Sequence, residues 1–525
     1  MDSYEGLDQK REGTVKHQFV YHIPSDHYFA CLFGPLISCL KKAYPDSMHL
    51  IVPQYGIRFH ETSESRYPAA LKKVQINCRF TIRQLKEPYR LRKILSNYLD
   101  QDIIDTMKIA SAWRWLWRYY LAIFSHQSKR IKLTKYNQLD YIKTRSFNDI
   151  NIGDLCANTF MRYKASAKLD LSDEFLSLVE AGAKAHIEYW TRALKSNCES
   201  YYFGSYGVYT HGGIGMRVAA KKQTGIINFG AMEIYYRHYK PGSLARGLEP
   251  THLADYANYR RDMINGSTQD LLSKAEQTLE QRTNNNHQDT MPYMRASLRG
   301  QTAEVYFRKE SITNSIVLML HDFYDSPHLY RHILFPDFIT WAEETIEFCI
   351  NNNISLNIKP HPNEIEESAQ AVNSLKEKYK DSKVTWMCKQ TPNSQIFQAK
   401  PSLVITAYGS VMAEAAYKEI SVLLCGDHPG INFNIGFNPR DKKEYFKYIK
   451  DHRNAYPERK DEAILFTALH CKNIYLKDAD SLATHENVLL SYGNNPKEYK
   501  SANIKSYTEE MADLITKEVR KELGP

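Results

Sequence analysis

Apolar and polar positions follow one another in blocks along this chain. Short continuous apolar runs bounded by turn residues recur between longer stretches whose apolar residues return every three or four positions. Runs of the first kind predict strands buried on both faces, and stretches of the second kind predict amphipathic helices. The first half opens with HQFVYHIPS, then the helical stretch YFACLFGPLISCLKKAY, then MHLIVPQYG. That is a βαβ opening, which predicts a parallel sheet with helices on its faces. Strands are expected again over Ser200 to Gly213 (SYYFGSYGVYTHGG) and Thr224 to Gly230 (TGIINFG), separated by a helix in IGMRVAAKKQ. From about Ser267 to Arg299 the chain is polar and rich in Gln and Asn, and is expected to form a long surface helix and a linker.

The second half begins with SIVLMLHDF and alternates strand and helix to about Leu476. Strands are predicted at IVLML, SLNIK, VTWMC, LVIT and SVLLCG, with helices such as FITWAEETIEFCINN between them. Residues 501–523 predict a charged terminal helix, expected to pack across the junction of the halves. The fold class is therefore α/β, with two Rossmann-like doubly wound domains, a crevice between them and a C-terminal helix. The expected divisions are residues 1–300, residues 301–500 and the helix of 501–525.

Two of the predicted strands in the second half end in polar motifs. ISLNIKPHPNE carries Lys359 and His361 on either side of Pro360, with Pro362 following, so the chain is held extended past the strand. LVITAYGSVMAEA passes through Tyr408, Gly409 and Ser410 into an Ala-rich helix bearing Glu414. Gly409 and Ser410 fall at the helix start, where unpaired N–H groups and the helix dipole favour an anion. Glu414 stands four residues after Ser410, one position too far for a reciprocal capping box, which leaves it available to sugar or ribose hydroxyls. A plain strand–turn–helix with a capping serine and a solvated glutamate would show the same letters, and so would a turn histidine at His361. Ligands of open α/β sheets bind outside the carboxyl ends of the strands, so the two motifs together point to a nucleotide or nucleotide-sugar site.

Length and composition narrow the class. At 525 residues the chain is too long for one ordinary core. It is 43% apolar and 25% charged, with no apolar run long enough to span a bilayer, which excludes disordered and membrane-spanning classes. MDSYEGLDQKREG has no apolar segment of the secretory type. The nine cysteines are scattered without a CxxC pair or metal-type spacing, as suits reduced thiols in a cytoplasm. A formal net charge of +9 fits phosphorylated ligands or an anionic membrane surface, and lacks the basic stripe that nucleic acid would require.

The succession KPHP, a strand leading into a Ser-x-x-x-Glu-Ala helix, then SVLLCG resembles the carboxyl domain of bacterial capsule and surface-polysaccharide glycosyltransferases of GT-B architecture, including Kdo-transferase-like enzymes. A looser likeness extends to teichoic-acid polymerases and UDP-N-acetylglucosamine 2-epimerases. NDINIGDLCANTFMRY (Asn148 to Tyr163) and VLMLHDFYDSPHLYRHILFPDFITWAEET (Val317 to Thr345) resemble the same group. The resemblance implies that His361 contacts the donor phosphate, that Ser410 sits at the phosphate end of its helix and that Glu414 holds the ribose. Two departures stand out. Tyr408-Gly409-Ser410 replaces the paired Ser or Thr of many relatives, and Cys156 and Ala157 stand where a bulky apolar and an aromatic residue are expected.

Catalysis requires a base or nucleophile on the amino-terminal side of the crevice. Asp154, after Gly153 in a polar break, is the first candidate, with Arg162 as its expected charge partner; a helix cap or a structural ion pair is the competing reading. His211 is the second, in VYTHGG at an expected strand end beside two glycines. Asp26 and His27, after the first strand, are expected to position an acceptor, with Glu233 as a further acceptor-side residue. Asp322, Asp325 and His328 in HDFYDSPH are spaced for a metal but read better as a loop shaping the crevice. No cofactor and no metal are expected, since helix dipoles and basic side chains offset a leaving phosphate. The stretch SAWRWLWRYYLAIFSHQSKRIKL (Ser111 to Leu133), with Lys129, Arg130 and Lys132 at its end, reads either as a core helix or as one lying on a membrane surface.

Taken together, these features lead to the expectation of a cytoplasmic glycosyltransferase, peripheral on the inner face of the membrane. It would transfer a sugar from a CMP- or UDP-linked donor to a capsule or O-antigen-type glycan, free or lipid-linked. The alternatives are an enzyme like the nucleotide-sugar 2-epimerases and a non-catalytic binding component of a polysaccharide assembly complex.

Overall fold

The computed structural model describes residues 16–55, 78–128, 136–164, 166–195, 198–205, 207–229, 236–242, 269–284, 309–330, 333–362, 364–428, 430–454, 459–470 and 504–524. The apolar runs are strands, as the patterning predicts. In the first half they are β1 (His17–Ile23), β2 (Met48–Pro53), β3 (Lys108–Ile109), a small antiparallel pair β4 (Ser146–Phe147) and β5 (Ile150–Asn151), then β6 (Glu199–Ser205), β7 (Gly225–Phe229) and β8 (Tyr236–Tyr239). The second half contributes β9 (Ile316–Met319), β10 (Leu356–Lys359), β11 (Thr385–Trp386), β12 (Leu403–Thr406) and β13 (Val422–Leu424).

The first sheet runs β3-β2-β1-β6-β7-β8, parallel except for β8, and the second runs β11-β10-β9-β12-β13, parallel throughout. In each the chain builds outward over three strands, then returns to the other side of the first one. That is the doubly wound order, and it places a topological switch point between β1 and β6 and another between β9 and β12. Two Rossmann-like units are thus present, the arrangement that GT-B architecture implies.

All seven residues of β1 are buried, because helices cover both faces of the sheet. Phe19, Tyr21 and Ile23 face the helix His27–Ala43 and the terminal helix Ile504–Leu523, whereas Val20 packs with the helices on the opposite face. Each large apolar side chain fully buried in this way stabilises the fold by about 1.5–3 kcal/mol.

Two expectations about helices change. The terminal helix does not pack across the junction. Met511, Ala512, Ile515, Val519 and Leu523 bury themselves in the core of the first unit, and Tyr44 donates a hydrogen bond to the Gly524 carbonyl at 2.8 Å. The helix expected at the surface before the linker, Gln269–Thr283, belongs to the second unit, where Ala275 and Leu279 are buried among residues of Val411–Tyr417 and Lys460–His470. In both cases a polar sequence conceals a narrow apolar stripe at helical spacing, which is enough to choose a partner.

Candidate functional site

The second switch point is polar. At the end of β9 the chain continues Leu320-His321-Asp322; beside it β10 ends in Lys359-Pro360-His361, and on the other side β12 runs into Thr406-Ala407-Tyr408-Gly409-Ser410. His321 lies at the centre of this group and is buried. Its ring centroid is 6.2 Å from that of His361, with the planes 20° apart, and 4.7 Å from the Tyr408 ring. The Tyr408 backbone N–H donates to His321 Nε2 at 3.4 Å, which assigns the ring proton to Nδ1. Burial, with His361 adding to it, pushes the His321 pKa down to about 3, so the imidazole is neutral across the physiological range. A Cβ on Gly409 would sit 3.2 Å from Thr406 Oγ1 and 3.4 Å from His321 Nε2, so glycine keeps this turn close to the histidine.

Lys359 and Glu414 are joined by a residue the sequence does not single out. Lys359 Nζ donates to Asn393 Oδ1 at 2.6 Å, and Asn393 Nδ2 donates to Glu414 Oε2 at 3.0 Å. Both ends of this relay are buried. Glu414 is therefore not a solvated carboxylate waiting at the helix face. Burial lowers the Lys359 pKa to about 8 against the pull of Glu414 in the other direction. Ser410 is exposed and its side chain caps nothing, while His361 is half-buried. Burial lowers the His361 pKa, Asp322 opposes the shift and Lys359 adds to it.

The loop after β9 carries the site across to the first unit. Asp322 accepts from Ser368 Oγ at 2.6 Å and from the Tyr324 N–H at 3.1 Å, fixing the loop to the helix Glu366–Lys378. Ser326, in the left-handed region at φ 48°, donates from Oγ to Tyr209 OH at 2.9 Å, and Tyr408 OH donates to the carbonyls of Asp325 at 2.7 Å and Ser326 at 3.0 Å. The His328 N–H donates to Asn158 Oδ1 at 3.2 Å, and its ring pairs with the Pro336 carbonyl. Asp325 is open to solvent yet walled by protein, as a group on the floor of a crevice would be. Desolvation raises its pKa while the Arg162 guanidinium opposes the rise. Asp322, Asp325 and His328 thus point to separate partners, and among the described residues no group of three or more His, Cys, Asp or Glu is placed to hold a metal ion.

On the first-unit side the candidates separate. Asp154, at the start of the helix Gly153–Lys164, is buried and makes a two-pronged ion pair with Arg217, at 2.7 and 2.6 Å. Its partner is not Arg162, which reaches instead toward the Tyr324 carbonyl at 3.5 Å and the field of Asp325. Desolvation works to raise the Asp154 pKa, but Arg217 outweighs it and holds the carboxyl below its ordinary value. His211 is not at a strand end; β6 stops at Ser205, and His211 is the second residue of the helix Thr210–Lys221. Its ring stacks on Tyr209 at 5.6 Å and meets Tyr163 edge-on at 6.1 Å. A continuous polar–aromatic wall results: His211 on Tyr209, Tyr209 bonded to Ser326, Ser326 held by Tyr408, and Tyr408 against His321 and His361. Asp26 is occupied as the cap of the helix His27–Ala43, accepting from the Phe29 N–H at 2.9 Å, and His27 pairs with Tyr98 OH at 3.0 Å. Burial lowers the His27 pKa, and Arg90 adds to the shift. Glu233 lies outside the described residues.

No protein-family model matches the chain, and no curated protein matches it. Among solved structures, UDP-GlcNAc 2-epimerase from Methanocaldococcus jannaschii, in complex with UDP-GlcNAc and UDP, is similar over 86% of this chain and 98% of its own, at 10% identity and a TM-score of 0.25. The UDP-GlcNAc 2-epimerase from Neisseria meningitidis, bound to UDP-GlcNAc, covers 86% and 97% at 10% identity and a TM-score of 0.26. A glycosyltransferase from Rickettsia africae covers 91% and 99% at 11% identity and a TM-score of 0.25. At such scores these likenesses carry no weight for ligand or reaction, and the fold rests on the strand orders given above.

Proposed function

We propose that this protein is a GT-B-type glycosyltransferase that moves a sugar from a nucleotide-sugar donor to a surface glycan of the capsule or O-antigen type, acting on the cytoplasmic side of the membrane. One observation carries the reading. His321, His361 and the Tyr408–Ser410 turn converge at the switch point of the second sheet, where a doubly wound unit takes its ligand, and a bonded wall leads from there to His211 in the first unit.

In this reading the donor phosphates lie against His361 and the main chain at Gly409 and Ser410, with the Lys359 ammonium beneath them as a source of positive charge. Glu414 accepts ribose hydroxyls through the oxygen not engaged by Asn393. Neutral His321 holds the Tyr408 turn in place. His211 takes the proton of the acceptor hydroxyl as the sugar moves, a role open to an imidazole nitrogen. Asp154, with both oxygens on Arg217, positions the helix Gly153–Lys164 on the first-unit wall, and Arg162 on that helix faces Asp325.

The test is incubation of the purified protein with UDP- and CMP-linked sugars, with and without a glycan acceptor. Transfer that needs acceptor, and that is lost in His361→Ala and Glu414→Ala proteins which still melt cooperatively, is the expected result. A modified nucleotide sugar formed without acceptor would replace this reading with epimerisation. A nucleotide that raises the melting temperature without any turnover would replace it with a binding role.

A further inference from the structure

The aromatic helix left aside by the proposed reaction is Ala112–Ser128, and it divides its tryptophans between two fates. Trp115 is buried, stacked 5.6 Å from Tyr55 and 5.0 Å from Tyr119, with its indole N–H donating to His186 Nδ1 at 3.1 Å. Trp113 and Trp117 are 64% and 67% exposed, and Leu121 is 49% exposed. These three are spaced by four residues, so they form one stripe along the outside of the helix. One face of this helix is core and the other is exposed.

The neighbouring helix Cys78–Leu95 shows the same habit. It touches the first helix through a hydrogen bond between Thr81 Oγ1 and Tyr120 OH, and it exposes Ile82 by 50% and Tyr89 by 74%. Single exposed apolar residues are ordinary, but these are not scattered. Of the six large apolar side chains that stand exposed among the described residues, five lie on these two helices, the sixth being Ile431 in the second unit.

Charge selects the partner. Cys78–Leu95 carries six basic residues, Arg79, Arg83, Lys86, Arg90, Arg92 and Lys93, against Glu87 alone. Ala112–Ser128 carries Arg114 and Arg118 and no acid. Arg92 meets Asp105 at 2.5 Å and Arg90 meets Glu87 at 3.8 Å, and Arg118 lies in the fields of Arg192 and Glu188. By sequence the two helices together carry eight basic residues against one acid. Trp and Tyr at the level of the headgroups, Leu and Ile below them and Arg and Lys reaching the lipid charges are the composition of a helix lying in a bilayer interface. Among the described residues no helix is long and apolar enough to cross the bilayer.

We propose that the two-helix face bearing Ile82, Tyr89, Trp113, Trp117 and Leu121 docks the first unit onto an anionic lipid surface. This inference rests on exposure and charge alone and does not depend on the reaction proposed above.

The test is co-sedimentation of the full chain with vesicles of about equal phosphatidylglycerol and phosphatidylcholine, beside vesicles of phosphatidylcholine alone. Binding to the anionic vesicles is expected to exceed binding to the neutral ones by at least about tenfold and to weaken as salt is raised from about 0.05 to about 0.5 M. The double variant Trp113→Ser/Trp117→Ser, with an unchanged melting temperature because both residues stand in solvent, is expected to partition at least about tenfold more weakly. Ile431→Ser is expected to behave as the unchanged protein. Equal partition of the double variant and the parent would overturn the proposal. So would self-association in sedimentation analysis that the double variant abolishes while neither protein binds vesicles, since the face would then be an interface between copies of the chain.

Discussion

Both sheets reverse direction after three strands, yet the ends of β1 and β6 differ from the ends of β9 and β12 in what they hold. Around the first switch point the polar groups have turned to structural work: Asp26 caps a helix, His27 binds Tyr98, and His22 bonds Tyr202 at 2.6 Å inside the core. Around the second, a neutral imidazole, a half-buried imidazole and a buried ammonium are gathered within one turn of the strand ends. Strand order provides a switch point in each unit, and the chemistry of the strand ends distinguishes the two. The same contrast divides the acidic candidates. Asp154 is saturated by a single buried arginine, whereas Glu414 shares its charge with Lys359 through an amide that can be displaced.

The largest test of this contrast is Asp154. Asp154→Ala leaves Arg217 buried without a counter-charge, and unfolding in denaturant is expected to show a loss of about 3–5 kcal/mol. Asp154→Asn that folds with parental stability and lacks turnover would instead return Asp154 to catalysis. Next comes Asn393→Ala, which removes the partner shared by Lys359 and Glu414. A stability loss of about 1–3 kcal/mol is expected, together with weaker nucleotide binding. No change in either would mean that the relay is not part of the site.

Lys359 also gives the second unit a pH signature. With its pKa at about 8, it sheds its proton in the free protein as pH rises past that value, and an anionic nucleotide requires the proton back. Nucleotide affinity measured by calorimetry is therefore expected to fall above pH 8, by up to about tenfold per unit. The stability of the free protein moves the opposite way. The unfolded chain holds this proton up to the ordinary value of 10.5, so between about 8 and 10.5 the group adds stability as pH rises. A binding curve flat over that range would remove Lys359 from the ligand. The smallest effect is expected at the bridge between units. Tyr209→Phe removes the acceptor of the Ser326 bond, with an expected cost of about 0.5–1.5 kcal/mol in thermal unfolding.

The strands were legible in the sequence because strands buried on both faces must be written as continuous apolar runs, and the turn residues after them marked Lys359, His361 and Ser410. His321 belongs to no motif, although it is the first polar residue after SIVLML and stands beyond β9 where His361 and Tyr408 stand beyond β10 and β12. Position relative to the sheet, rather than any motif, would have found it. Asn393 and Arg217 left no local trace. Arg217 meets Asp154 across 63 residues, and only the packing of the helix Thr210–Lys221 on Gly153–Lys164 brings them together. The nearer Arg162 looked the better partner on spacing alone. The burial of Ala112–Ser128 is not written in its composition, because a helix can be core on one side and exposed on the other.

The return of Ile504–Leu523 to the first sheet has a bearing on how the molecule is made. Every strand of the second unit leaves the ribosome before this helix does, so that unit can complete its core while the first still shows the bare flank of His27–Ala43. The unit begun first is thus finished last, and a ribosome stalled once Lys460–His470 has emerged would display a second unit with its core residues in hand beside an unsealed first one.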